Sequence, residues 1–197
     1  MAKITVAKNA GYCYGVRRAI EKAQGCAKAG EGPVYTAGPL IHNKFVVSQL
    51  EGQGIYSRDT IEAIPDGAQV VVRAHGITRQ QQEQLEQKGC RIVDATCPHV
   101  ARIHRIVEEE SAKGRHILII GSRAHPEVVG IASRCGQHTV LENLEEVAEF
   151  IKNLEEKPLS VVAQTTFNRE IFVNCTNLLK NTCKSIGIFD TICNATD

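Results

Sequence analysis

Apolar residues run along this chain in two alternating rhythms. Short blocks of four to six residues read as strands: KITVA (3–7), PVYTA (33–37), GIYS (54–57), QVVVRA (69–74), RIVDA (91–95), HILIIG (116–121), HTVL (138–141), SVVAQ (160–164) and IFDTI (188–192). Between them, apolar residues return every three or four positions. That spacing predicts helices near 15–29, 43–52, 79–88, 98–113, 127–134, 144–153 and 168–183. Short apolar runs alternating with helices imply parallel sheets covered on both faces, an α/β fold. Such folds bind ligands beyond the carboxyl ends of their strands.

The pattern also repeats. After Cys13 in GYCYGVRRAIEKA (11–23) the apolar face is Val16, Ala19, Ile20 and Ala23. After Cys97 in ATCPHVARIHRIV (95–107) it is Val100, Ile103, His104 and Val107, with the same i, i+3, i+4, i+7 spacing. His42 lies 29 residues beyond Cys13 and His125 lies 28 beyond Cys97, each between a strand and a helix. His75 and Thr165 stand in a further strand–turn–helix unit, 62 and 68 residues beyond those cysteines. Cys193, 96 residues after Cys97, opens what reads as a third copy. The expectation is two similar domains of small parallel sheets flanked by helices, residues 1–96 and 97–192. They would be the first two of three pseudo-symmetric repeats around a central site. Residues 193–197 would begin a third, missing repeat, and the strand at 3–7 would pair with it.

Charge narrows the partners. Lys+Arg is 23 against 22 Asp+Glu, a net +1, and no block of like charges stands out. That argues against a nucleic-acid or membrane-surface footprint, while a local basic pocket for an anionic substrate remains open. The opening segment lacks the apolar run of a secretory signal, and no apolar run approaches the ~20 residues that span a bilayer. A soluble, cytoplasmic protein is expected, in which eight cysteines read as free thiols, ligands or catalytic groups rather than disulfides.

The candidate chemistry collects where strands hand over to helices. Pro98 suits the first helical position, which makes Cys97 the N-cap. Unpaired N–H groups there favour a thiolate and are expected to lower its pKa. His125-Pro126 follows the same grammar, with Glu127 in the first turn. Cys13, Cys97 and Cys193, at equivalent points of three repeats, could converge on an iron–sulfur cluster or zinc. Cys26, Cys90, Cys135, Cys175 and Cys183 read as small packing residues. His99, His104, His116 and His138 read as surface or packing residues. His42, His75 and His125 occupy matching turns and could form an anion-binding cluster. Glu127 is either a solvated first-turn acid or a proton carrier, and Thr165 and Thr166 otherwise simply end a strand. A two-domain zinc- or phosphate-binding module without redox chemistry, or an inert structural fragment, fits the same residues.

GYCYGVRRAI, PLIHNKFVV, AHGI, DATCPHV, HPEVVG, AQTTF and TICNAT follow one another across essentially the whole chain. Together they resemble the 4-hydroxy-3-methylbut-2-enyl diphosphate reductase (IspH, or LytB) family. The resemblance implies three α/β domains around a [4Fe–4S] cluster with one open iron, held by Cys13, Cys97 and Cys193. The implied reaction is the last step of the non-mevalonate isoprenoid pathway, with electrons from a ferredoxin- or flavodoxin-type donor. His42, His75 and His125 would hold the substrate, mainly at its diphosphate, and His125 would also serve proton delivery. Glu127 would protonate the departing hydroxyl, Thr165 would orient it, and Thr166 would add a substrate contact. In that family a third domain supplies a Ser-x-Asn motif and another serine. This sequence ends at Asp197, so a truncated chain, inactive by itself, is expected.

Overall fold

Eight strands form two parallel sheets of four, and both sheets have the same strand order. In the computed structural model, which describes residues 4–5, 11–41, 43–154 and 157–194, the first sheet runs β2-β1-β3-β4. It is built from β1 (Val34–Ala37), β2 (Ile55–Arg58), β3 (Gln69–Val72) and β4 (Arg91–Asp94). The second runs β6-β5-β7-β8, from β5 (His116–Ile120), β6 (His138–Leu141), β7 (Leu159–Ala163) and β8 (Ile186–Ile188). α1 (Tyr14–Lys28) precedes the first sheet and α4 (Pro98–Ala112) the second. The other helices are α2 (Lys44–Glu51), α3 (Arg79–Gln87), α5 (Pro126–Ala132), α6 (Leu144–Lys152) and α7 (Arg169–Thr182). The duplication legible in the apolar pattern is therefore a duplication of topology.

Alternation along the buried strands divides each sheet between two helical layers. Val71 faces Ala19 and Ala23 of α1, while Val70 and Val72 pack with Ile64 and Leu85. In the second sheet Ile117 and Ile119 meet Ile103 and Val107 of α4, and Leu118 and Ile120 meet Phe172 and Leu179 of α7. Burying each such aliphatic side chain contributes roughly 1.5–3 kcal/mol. The α4 stripe of Val100, Ile103, His104 and Val107 is buried at every position, as its spacing requires.

Two expected strands differ. The block at 188–192 pairs earlier, at Ile186–Ile188, because a side chain replaces the ladder beyond Phe189. The Thr191 hydroxyl accepts from Ala163 N–H at 2.8 Å and donates to Ala163 C=O at 2.7 Å. Residues 4–5 of the expected first strand lie in no strand, and the rest of that segment falls outside the described residues. Among the described residues no helix is long and apolar enough to cross a membrane.

His104 packs where the two halves meet. It is 7% exposed, and a Cβ placed on Gly76 would stand 3.0 Å from its Cε1. Gly76 has φ +75°, so the turn after β3 needs glycine for both its backbone and its contact. Burial, aided by Arg134, pushes the His104 pKa down to about 4, with Glu108 and Asp94 offsetting part of the effect. The folded protein thus keeps His104 neutral where the unfolded chain protonates near 6.5. This contribution is full above about pH 6.5 and is lost as pH falls toward 4, on the order of 3 kcal/mol in all. In urea unfolding followed from pH 7 to pH 4.5, His104→Gln should flatten that acid-side loss; an unchanged slope would contradict a neutral buried imidazole.

Candidate active site at the carboxyl rim

Both sheets deliver a cysteine by the same device. Past the end of β4, Ala95 N–H still pairs with Val72 C=O, and Cys97 N–H then binds Ala74 C=O at 2.9 Å. Past β8, Cys193 N–H binds Thr165 C=O at 2.8 Å. Cys97 and Cys13 are the N-caps of α4 and α1, with Pro98 at the first turn of α4. Arg18 ties α1 to this segment through Thr96 C=O at 2.9 Å, and Lys22 does so through Asp94 C=O at 2.6 Å. Gly15, in the first turn of α1, then lies directly on Cys97. A Cβ there would stand 2.8 Å from Cys97 Sγ and 3.1 Å from its Cβ.

The expected lowering of the Cys97 pKa does not occur. Burial pushes the thiol up, and the N–H groups of His99 and Val100 pull it down without completing a capping hydrogen bond. The Cys193 and Cys13 thiols then add to the rise, because each would repel a neighbouring thiolate. Cys193 and Cys13 are thus near enough to Cys97 to act on it electrostatically. Among the described residues no three His, Cys, Asp or Glu side chains are grouped to hold one metal ion. Three cysteine donors, two of them helix caps, nevertheless suit a cluster, in which each thiolate takes its own iron.

The acid sits beside the third cysteine. Glu127 is 1% exposed; its Oε1 accepts from Thr165 N–H at 2.6 Å and its Oε2 from the Thr165 hydroxyl at 2.7 Å. Burial raises its pKa, and those two bonds from Thr165 offset the rise only in part. A solvated first-turn acid is thereby excluded. His125 caps α5, with Nδ1 accepting from Glu127 N–H at 3.2 Å, which leaves the ring proton on Nε2 when the imidazole is neutral. The His75 and His125 rings meet edge to face, centroids 5.5 Å apart, joining the two halves.

Thr166, which is exposed, accepts from Gln164 Nε2 at 2.8 Å. Ala74 and Thr165 make the equivalent bonds to Cys97 and Cys193, so the positional counterpart of His75 is Thr166 rather than Thr165. His42 lies outside the described residues. Cys26, Cys90, Cys135, Cys175 and Cys183 pack against apolar clusters as expected, Cys175 fully and the others half-buried. Burial pushes the Cys135 thiol up to about 12, far from a ligand's needs. The sequence offered no sign of the Gly15 contact, since only α1 folded against residues 94–97 brings the two together.

A duplicated parallel α/β scaffold, with thiols, imidazoles and a buried carboxyl gathered at one rim, defines a candidate redox or acid–base enzyme. Residues 4–197 match the family model described as LytB protein, and the chain belongs to that family. It is 37% identical to the 4-hydroxy-3-methylbut-2-enyl diphosphate reductase of Clostridioides difficile, over 98% of this chain and 69% of that protein. Against the same-named protein of Aquifex aeolicus it is 36% identical, over 100% of this chain and 68% of that one. A solved structure titled as (E)-4-hydroxy-3-methyl-but-2-enyl diphosphate reductase, terminal enzyme of the non-mevalonate pathway, superposes with TM-score 0.87 at 36% identity. It covers 99% of this chain and 69% of that one. The E-1-hydroxy-2-methyl-but-2-enyl-4-diphosphate reductase of Plasmodium falciparum superposes equally well, TM-score 0.87 at 31% identity, over 96% and 60%.

Two glycines of α1 test the contact on Cys97. Gly25 has nothing within 4 Å of an added Cβ, so Gly25→Ala should stabilise by about 0.5–1 kcal/mol through helix propensity. Gly15→Ala should lose that gain and lower the urea midpoint, because the methyl meets Cys97. Equal stabilisation by both would show that α1 does not rest on Cys97.

Proposed function

We infer that this protein catalyses the reductive removal of the allylic hydroxyl of 4-hydroxy-3-methylbut-2-enyl diphosphate. Two electrons and two protons enter; isopentenyl or dimethylallyl diphosphate and water leave. The observation that carries the reading is the Glu127–Thr165 couple, set one backbone bond from Cys193. Family membership and relatives bearing the reductase's name support it along nearly the whole chain. They disfavour a zinc- or phosphate-binding module without redox chemistry. The relatives continue over roughly a further third of their length, and the resemblance assigns additional diphosphate contacts to that part.

Cys13, Cys97 and Cys193 would hold a [4Fe–4S] cluster, which when bound supplies electrons and, at an iron without a protein ligand, Lewis acidity toward the hydroxyl. The protein's own residues do the rest. Glu127, whose burial raises its readiness to take up a proton, is placed to pass one to the departing oxygen, and the Thr165 hydroxyl orients that oxygen. His125 and His75, with His42 and Thr166, hold the substrate, and His125 offers its Nε2 proton to the same region. Residues 1–96 and 97–192 serve as two repeats facing this centre, with Cys193 standing where a third would begin. A small acidic electron carrier of ferredoxin or flavodoxin type is the fitting donor, and the cytoplasm the fitting compartment.

Anaerobically prepared protein should contain iron and acid-labile sulfide, and Cys97→Ser should reduce both together. Iron and sulfide unchanged by that substitution would remove Cys97 from the ligand set. Glu127→Gln keeps the shape, since an amide can accept from Thr165 N–H and donate to its hydroxyl. Turnover should fall about 100-fold or more, with substrate affinity nearly unchanged. Parallel losses in turnover and affinity would make Glu127 a binding residue.

A further inference from the structure

Arg73 follows β3 at the same rim, one residue before the Ala74 carbonyl that receives Cys97 and two before His75. Its guanidinium rests on the turn after β1. A Cβ on Gly38 would stand 2.5 Å from Nη1 and 3.2 Å from Cζ, and Gly38 has φ +76°. Nε is buried without a hydrogen-bond partner, and among the described residues no acceptor or carboxylate pairs with this side chain. Burial alone lowers its pKa; no neighbouring anion offsets the effect.

The second sheet shows what the same position looks like when it is satisfied. The common strand order matches β1 with β5 and β3 with β7, hence Gly38 with Gly121 and Arg73 with Gln164. Gln164 also packs on its glycine, 2.8 Å from a Cβ placed there. Its amide is closed on the protein, however: Oε1 accepts from Ser122 N–H at 3.0 Å and Nε2 donates to the Thr166 hydroxyl at 2.8 Å. In the first sheet the residue matching Ser122 is Pro39, which has no N–H to give, and a guanidinium accepts nothing. The charge of Arg73 has no use within this turn, and a half-buried cation without an anion is costly.

We propose that Arg73 binds the anionic end of the ligand, gripping oxygens of the substrate's diphosphate beside His75. This rests on the diphosphate substrate inferred above and adds a fixed cation to a site otherwise furnished with imidazoles. Arginine suits the task because its planar donors match phosphate oxygens in pairs and its charge persists at every working pH.

The test uses anaerobically prepared parent, Arg73→Gln and Arg73→Lys, each titrated with inorganic diphosphate and with the hydroxylated substrate. Arg73→Gln should bind both about tenfold or more weakly, with a shallower salt dependence. Arg73→Lys should retain most of the affinity. Without ligand, Arg73→Gln should melt no lower than the parent, since no internal bond is lost. Equal diphosphate affinity in parent and Arg73→Gln would overturn the role of Arg73 and leave the diphosphate reading standing. A marked fall in melting temperature without ligand would overturn it in favour of a structural role. A parent that binds no diphosphate would overturn both.

Discussion

One kind of backbone hydrogen bond, made once past each sheet after a strand has ended, governs the placement of the site. Cys97 N–H reaches Ala74 and Cys193 N–H reaches Thr165, each extending a ladder that no longer counts as strand. The sheets rather than flexible loops thus set where both sulfurs stand, which is what a site with exacting geometry requires. The same two bonds fix the carriers of the other groups, since His75 follows Ala74 and Thr165 holds Glu127. α1 is then locked onto residues 94–97 by Arg18, Lys22 and the bare face of Gly15, which brings in Cys13.

Gathering these groups has an electrostatic consequence. Cys97 resists ionisation chiefly through burial, and the buried Glu127 carboxyl, tied to the Cys193 segment through Thr165, resists it too. An anionic ligand set therefore forms most readily when a cation arrives with it, the usual coupling of metal binding to deprotonation. Glu127 differs in accepting two hydrogen bonds from Thr165, which fix its position and offset part of the rise that burial causes. The fold gives two acidic groups different settings, one a thiol at a helix N-cap and the other a closed, dry carboxyl.

Much of this was legible from local rules. Proline after cysteine or histidine marked the N-caps at Cys97 and His125, and apolar period located α1 to α7 within two residues. The repeat was visible because both copies bury the same helical face against the same sheet. What escaped notice depended on groups distant in sequence. The Thr191 hydroxyl displaced the last strand by taking over the bonds of Ala163, and burial of Cys97 by the folded chain, with a smaller addition from Cys193 and Cys13, reversed its expected shift. Arg73 looked like one more residue of an apolar block, and only the shared strand order, with Gln164 as its satisfied counterpart, singles it out. His42, assigned to the matching turn of the first repeat, stands among the residues left undescribed.

The central claim is that Cys13, Cys97 and Cys193 converge as ligands of one cluster. An anomalous difference map collected at the iron edge, from crystals grown without oxygen, addresses it most directly. The account predicts one compact iron feature at the carboxyl rim, bonded to the Sγ atoms of those three cysteines and to no other cysteine. Iron bound through Cys26, Cys90, Cys135, Cys175 or Cys183, or a feature that leaves one of the three sulfurs unbonded, would contradict it.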